Sequence, residues 1–215
     1  MTGVKTCALP IYDPQTDLAP ITQLTTFEFG LAAHKGIPAT SLAELNAYLK
    51  ANPAKASYGT SGAGTSMHFL GLKLASATGV DYRPVHYRGS GQSVADLTSG
   101  QLPMVILSIN DTIEHHRTGA IRILATSDRE RSIFLPDVPT FREQGVDFEI
   151  PGWYSAYAPA KTPPEIVARL SKAMVEIVQS PEVKQRLYNI GFKATGTSRS
   201  EEHTSELQSH SFISY

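Results

Sequence analysis

Apolar positions recur along this chain in two alternating rhythms: short unbroken runs, and stripes spaced three and four residues apart. Phe27 to Ala33 reads as a strand. Behind Ser41-Leu42-Ala43-Glu44, Leu42, Leu45 and Leu49 share one helical face. That tetrapeptide is a capping box, in which the serine accepts from a backbone N–H and the glutamate reaches back. Asn52-Pro53 ends this helix, Ala56 to Gly59 predicts a short strand, and Thr65 to Thr78 a helix stopped by Gly79.

The alternation continues. Tyr82 to Tyr87 is strand-like, Arg88-Gly89-Ser90-Gly91 is a loop, and Gln92 to Ser99 is a short helix closed by Gly100. Pro103 to Ser108 and Ile121 to Thr126 read as buried strands flanking a helix from Asp111 to Arg117. An apolar stripe of Ile166, Val167, Leu170, Met174, Ile177 and Val178 follows the helix start Thr162-Pro163. Pro181 opens another helix, with Val183, Leu187 and Ile190 inward and Gly191 as its C-cap. Together these predict an α/β fold with a mainly parallel sheet, without internal repeats or a low-complexity linker.

Composition narrows the function more than the fold. The 215 residues suffice for one large or two small cores, and 41% apolar with 18% charged residues is ordinary for a soluble globular protein. With 19 basic and 20 acidic side chains the net charge is −1, so bulk charge points to neither nucleic acid nor an anionic membrane. No apolar run reaches the roughly 18–20 residues that span a bilayer. Cys7 is the single cysteine, which excludes an internal disulfide framework and a multi-cysteine metal site. Met1 to Cys7 lacks the basic head and apolar stretch of a secretory signal, and by itself this start would say cytoplasm.

The segment richest in candidate chemistry runs from Ser57 to His68, with three glycines and four hydroxyl side chains between Gly59 and Ser66. Between a strand and a helix, Ser61, Gly62, Ala63, Gly64, Thr65 and Ser66 can turn backbone N–H groups toward an anion. The helix dipole there adds about half a positive charge. The same residues also fit a turn whose hydroxyls only cap the helix. No G-x-x-x-x-G-K is present, Met67 stands where a third dinucleotide-loop glycine would be, and Ala63 breaks the nucleophile-elbow pattern. His68, one turn into the helix, fits a helix-face histidine better than a catalytic base.

A second loop, Tyr87, Arg88, Gly89 and Ser90, also joins a strand to a helix. Two such loops in one parallel sheet open on the same edge, where α/β proteins place ligands. Arg88 can grip a carboxylate bidentately or stand as a solvated surface arginine. Glu114-His115-His116 lacks metal-ligand spacing and reads as a solvated face. Asp128 to Arg131 reads as an exposed charged turn, and the Trp153, Ser155, Tyr157 alternation as core packing. No metal, cofactor or catalytic residue is expected.

Taken in order, these motifs resemble the receptor family of tripartite tricarboxylate transporters, the Bug-type or TctC-like periplasmic binding proteins. The resemblance runs from Tyr12 to Ser198. It begins with Tyr12-Asp13-Pro14-Gln15-Thr16-Asp17-Leu18-Ala19-Pro20-Ile21 and continues through Asn52-Pro53, the Ser57 to His68 loop and His86-Tyr87-Arg88-Gly89-Ser90-Gly91. Leu124-Ala125-Thr126-Ser127, Leu135 to Phe141, Glu143-x-Gly145, Trp153 and Ala158 to Pro163 complete it. The resemblance implies two α/β lobes closing on a small carboxylate, a partnership with the membrane components of such a transporter, a periplasmic location and a monomer when full length. It also implies that Ser61 to Ser66, with His68, and Tyr87 to Ser90 line the ligand site. Arg88 stands where the family more often has lysine.

Residues 12–33 and 151–198 would then form part of one lobe and 34–150 the other, with the first lobe incomplete. Residues 1–11 and 199–215 resemble translated sequencing adapters, so the cytoplasmic look of the start would be an artefact and the signal peptide missing. With half the site absent, weak or no binding is expected of these residues alone. Two other readings remain open: an α/β hydrolase using Ser61 or Ser66 with His68 or His86, and a sensory ligand-binding module.

Overall fold

The computed structural model describes Asp13 and residues 16–196. The adapter-like stretches lie outside these residues. Strand β1 (Leu18–His34) is followed by α1 (Leu42–Ala51), β2 (Ser57–Thr60), α2 (Ser66–Thr78), β3 (Arg83–His86) and α3 (Ser90–Ser99). Then come β4 (Met104–Ser108), α4 (Ile109–Arg117), β5 (Ile121–Thr126), β6 (Pro151–Pro159), α5 (Pro164–Gln179), α6 (Pro181–Asn189) and β7 (Lys193–Ala194). Ser41 caps α1 by accepting from the Glu44 N–H, and the Glu44 carboxylate accepts from Thr40, so the box read from the sequence forms one residue further out on its return arm. No helix among the described residues is long and apolar enough to cross a membrane.

The sheet runs β3-β2-β4-β1-β5, with β6 and β7 also pairing with β1. β2 is parallel to β3 and β4, whereas β1 is antiparallel to both β4 and β5. Four strands of that path therefore point one way and β1 opposes them. β1 is also far longer than the apolar run Phe27 to Ala33, because it continues back through threonine-rich residues whose branched side chains suit a pleated strand.

The chain divides into two compact units. The larger is Thr26–Gly152 with Arg186–Lys193; the other holds the described residues up to Thr25, Trp153–Gln185 and the described residues from Ala194. The division cuts β1 earlier than the sequence reading, since Phe29, Leu31 and Ala33 belong to the core of the larger unit. That unit packs one apolar cluster on each face of its sheet. Leu42, Leu45, Tyr58, Leu70 and Leu74 lie in one, Leu97, Val105, Ile109, Ile113 and Ile123 in the other. Among the described residues, the smaller unit buries Ile21, Ala158 and Val167 as its apolar cluster.

Two expectations are corrected here. Trp153 does not pack into a core: it is 41% exposed, and Tyr154 beside it is exposed too. His116 is not on a solvated face, because its Nδ1 accepts from the Ile123 N–H at 3.1 Å. Burial first, then Arg122 and Arg117, hold its imidazole below the ordinary range.

Candidate functional site

The direction of the strands decides where the chemistry collects. Since β3, β2 and β4 are parallel neighbours, the loops that follow them all leave from one edge of the sheet. Each runs straight into a helix, so the first-turn N–H groups of α2, α3 and α4 gather at that edge without intrahelical acceptors. Three aligned helix N-termini make an anion-friendly surface before any side chain is considered.

At the first junction the hydroxyls largely serve the loop itself. Thr65 caps α2 by accepting from the His68 N–H and donates to the Gly62 carbonyl at 2.9 Å. Thr60, fully buried at the end of β2, contacts both the Gly62 carbonyl at 3.2 Å and the His86 Nδ1 at 2.9 Å. Ser61 turns onto the Met67 sulfur at 3.3 Å. Gly64 adopts φ +74°, a left-handed conformation that glycine enters without strain, and sends its N–H to the His68 Nδ1 at 3.2 Å. A ring nitrogen that accepts leaves the proton of a neutral imidazole on the other, so His68 Nε2–H is a donor. Ala63 and Ser66 are exposed, and Ser66 is the first residue of α2. Its hydroxyl is the loop's uncommitted one among the described residues.

The second junction is tied to the first. The Tyr87 N–H donates to the Thr60 carbonyl at 2.9 Å, and the His68 and His86 rings meet edge to face with centroids 4.7 Å apart. The Tyr87 hydroxyl donates to Asp96 at 2.7 Å, and burial together with that carboxylate pushes the phenol up to about 12. Arg88 is exposed. Gly89, with φ +121°, precedes α3 and supplies no side-chain cap, and Ser90 opens the helix.

The sequence reading missed the third junction, Ser108-Ile109-Asn110-Asp111. Its S-x-x-D spacing is a capping-box signal, yet Ser108 makes no cap bond. Its hydroxyl turns instead to Asn110 and to the Glu28 carbonyl. Burial raises the Asp111 carboxyl above its ordinary range, and the Ser90 side chain opposes this. Thr60 and His86 were also missed as a pair, because only strand register brings residues 26 apart in sequence into contact. The hydrolase reading needs a serine against a histidine, whereas Ser61 meets Met67. Among the described residues no group of three or more His, Cys, Asp or Glu could hold a metal ion.

Comparison with known proteins decides the family. The tripartite tricarboxylate transporter family receptor model matches residues 6–208, reaching into both terminal stretches that resemble adapters. The chain belongs to this family. A "UPF0065 protein in gbd 5'region" of Cupriavidus necator is 31% identical over 193 residues, covering 84% of this chain and 58% of the relative. Among solved structures, "R. palustris Rpa4515 with adipate" gives a TM-score of 0.84 at 30% identity, covering 90% of this chain and 65% of that one. MatC from Rhodopseudomonas palustris with bound malate gives 0.78 at 28% identity, covering 87% and 64%. The chain thus shares the α/β fold of periplasmic binding proteins, and it spans a little over half the length of the curated relative.

Proposed function

We propose that this chain is the ligand-gripping part of a periplasmic receptor for a small carboxylate. In this reading the receptor passes its ligand to the membrane components of a tripartite tricarboxylate transporter, without catalysis. One observation carries it: first-turn amides of three helices assembled on one sheet edge, in a member of the receptor family. The amides of Ser61, Ala63, Thr65 and Ser66 and of Ser90 to Gln92 bind the carboxylate, with Gly62 and Gly64 shaping the loop and the Ser66 hydroxyl and His68 Nε2–H as side-chain donors. Tyr87, Gly89 and Ala63 shape the turns, and Arg88 adds positive charge from the surface. Two relatives whose structures hold adipate and malate support the ligand class. The smaller unit as a partial first lobe, and the larger as the second, belong to the same proposal.

Nuclear magnetic resonance reads weak binding residue by residue, which suits a chain of this length. Millimolar malate or adipate should shift the Ser61–Met67 and Ser90–Gln92 amides and leave α1 unmoved. Ser66→Ala should weaken that binding by about 1 kcal/mol, the net worth of one hydrogen bond. Shifts spread evenly over the surface, or none with either acid, would overturn the reading.

A further inference from the structure

The carboxylate reading gives His86 no role, yet this side chain stands where the first two junctions meet. It ends β3 in register with Thr60 at the end of β2, and it is exposed to solvent. Thr60 is fully buried, and its hydroxyl has one proton with two acceptors in reach: His86 Nδ1 at 2.9 Å and the Gly62 carbonyl at 3.2 Å. The Gly62 carbonyl already accepts from the Thr65 hydroxyl at 2.9 Å, so the Thr60 proton goes to the histidine. A neutral imidazole that accepts at Nδ1 carries its own proton on Nε2. His86 therefore presents an Nε2–H donor, as His68 does through its bond from the Gly64 N–H.

Both rings are anchored to the first loop and its strand through Nδ1, and among the described residues nothing accepts from either Nε2–H. The rings meet edge to face with centroids 4.7 Å apart, so a ligand held by His68 comes within reach of His86 as well. Arg88, two residues further on, adds positive charge to the same loop. Asp96, the acid bonded to this loop, is engaged by the Tyr87 hydroxyl at 2.7 Å. A second ligand carboxylate brought here would find an unused donor. An ammonium group would meet N–H groups and Arg88 in place of an acceptor, and would lose hydration without compensation.

We propose that His86 is a specificity-determining residue: with the ligand's first carboxylate on the α2 junction, the His86 Nε2–H binds a second one. The preferred ligand is then a diacid, over a monoacid and over an acid whose far end is an amine. This rests on the carboxylate-receptor reading above and sharpens it.

Succinate, butyrate and γ-aminobutyrate each carry one carboxylate on a short chain, whose far end is a second carboxylate, a methyl or an ammonium group. Titrating the full 215-residue chain with each, followed by amide shifts, compares the three directly. Succinate should bind about tenfold more tightly than butyrate, the worth of a hydrogen bond to a charged group, and γ-aminobutyrate most weakly. In His86→Asn the side-chain oxygen can still accept from Thr60 while the Nε2–H is gone. Succinate should then fall to the level of butyrate, with butyrate itself unchanged. If the ring only holds Thr60, His86→Asn will keep the preference for succinate, which overturns the inference. Nitrogen spectra of the histidine side chains, recorded on the unaltered chain at mildly alkaline pH, read the tautomers directly. Both rings should carry the proton on Nε2, and succinate should move the His86 Nε2 signal. A proton on His86 Nδ1 overturns the inference. Equal binding of all three acids by the unaltered chain overturns it too and leaves the receptor reading standing. Absence of any response at the Ser61–Met67 amides to all three removes the receptor reading itself, and this inference with it.

Discussion

Glu28 sits on β1 with only 8% of its surface exposed, and one of its carboxyl oxygens has no hydrogen-bond partner among the described residues. Burial chiefly raises its pKa to about 7; the Ser132 side chain opposes this, Asp128 adds to it and Lys193 opposes it. Because the folded state holds this proton more tightly than the unfolded state, the contribution to stability is full below about pH 4.5 and is lost as pH rises toward about 7. Glu28→Gln removes the titration. Denaturant unfolding should show the variant gaining on the parent across that window, by up to about 3 kcal/mol above it. A constant difference between the two at all pH values would refute the assignment. Nothing in the sequence marks Glu28: a lone acid in a strand reads as a solvent-facing position until the fold covers it. The loop hydroxyls are the reverse case. Their position was legible, but whether Ser61 would serve a ligand, a histidine or Met67 depended on packing.

Gly71 shows the same division at the scale of an element. In the sequence it interrupts an apolar helix without apparent need. In the fold, the buried Tyr58 ring of β2 occupies the space its side chain would fill, and the Tyr58 hydroxyl donates to the His68 carbonyl at 3.1 Å. The glycine is what lets α2 lie close on β2, and through Tyr58 it sets the first turn of the helix that carries the loop. Gly71→Ala should cost about 1–3 kcal/mol in chemical denaturation, as overpacking of a tight core does. Gly91→Ala in α3, where the added methyl meets nothing within 4 Å, should be close to neutral and serves as the control. Similar costs for both would show that backbone freedom, not the approach of Tyr58, decides. Element positions themselves were largely readable: Ile121 to Thr126 is β5 as expected, and α2 begins one residue after the expected start because Thr65 caps it. Strand β1 was underestimated because its first half lacks a continuous apolar run.

Over the whole molecule, stability should follow the uneven distribution of core. The larger unit buries apolar side chains on both faces of its sheet, whereas α5 in the smaller one leaves Ile166 and Ile177 exposed and buries Val167 and Val178. Amide hydrogen exchange should therefore be fastest in α5 and slowest in β2 and β4, with openings of α5 well below the global free energy. Uniform protection across both units would contradict this. The net charge of −1 has a molecular consequence as well: attraction of an anion must come from oriented amides close at hand, not from a long-range field.

The order of apolar and polar residues was enough to set the alternating elements, the two glycine-rich turns and the family resemblance, because each depends on neighbours within a few positions. Strand order, the reversal of β1 and the third junction at Asp111 belong to the tertiary structure. They arise from contacts between residues far apart in the chain, and no local pattern specifies which of several helix starts will share an edge.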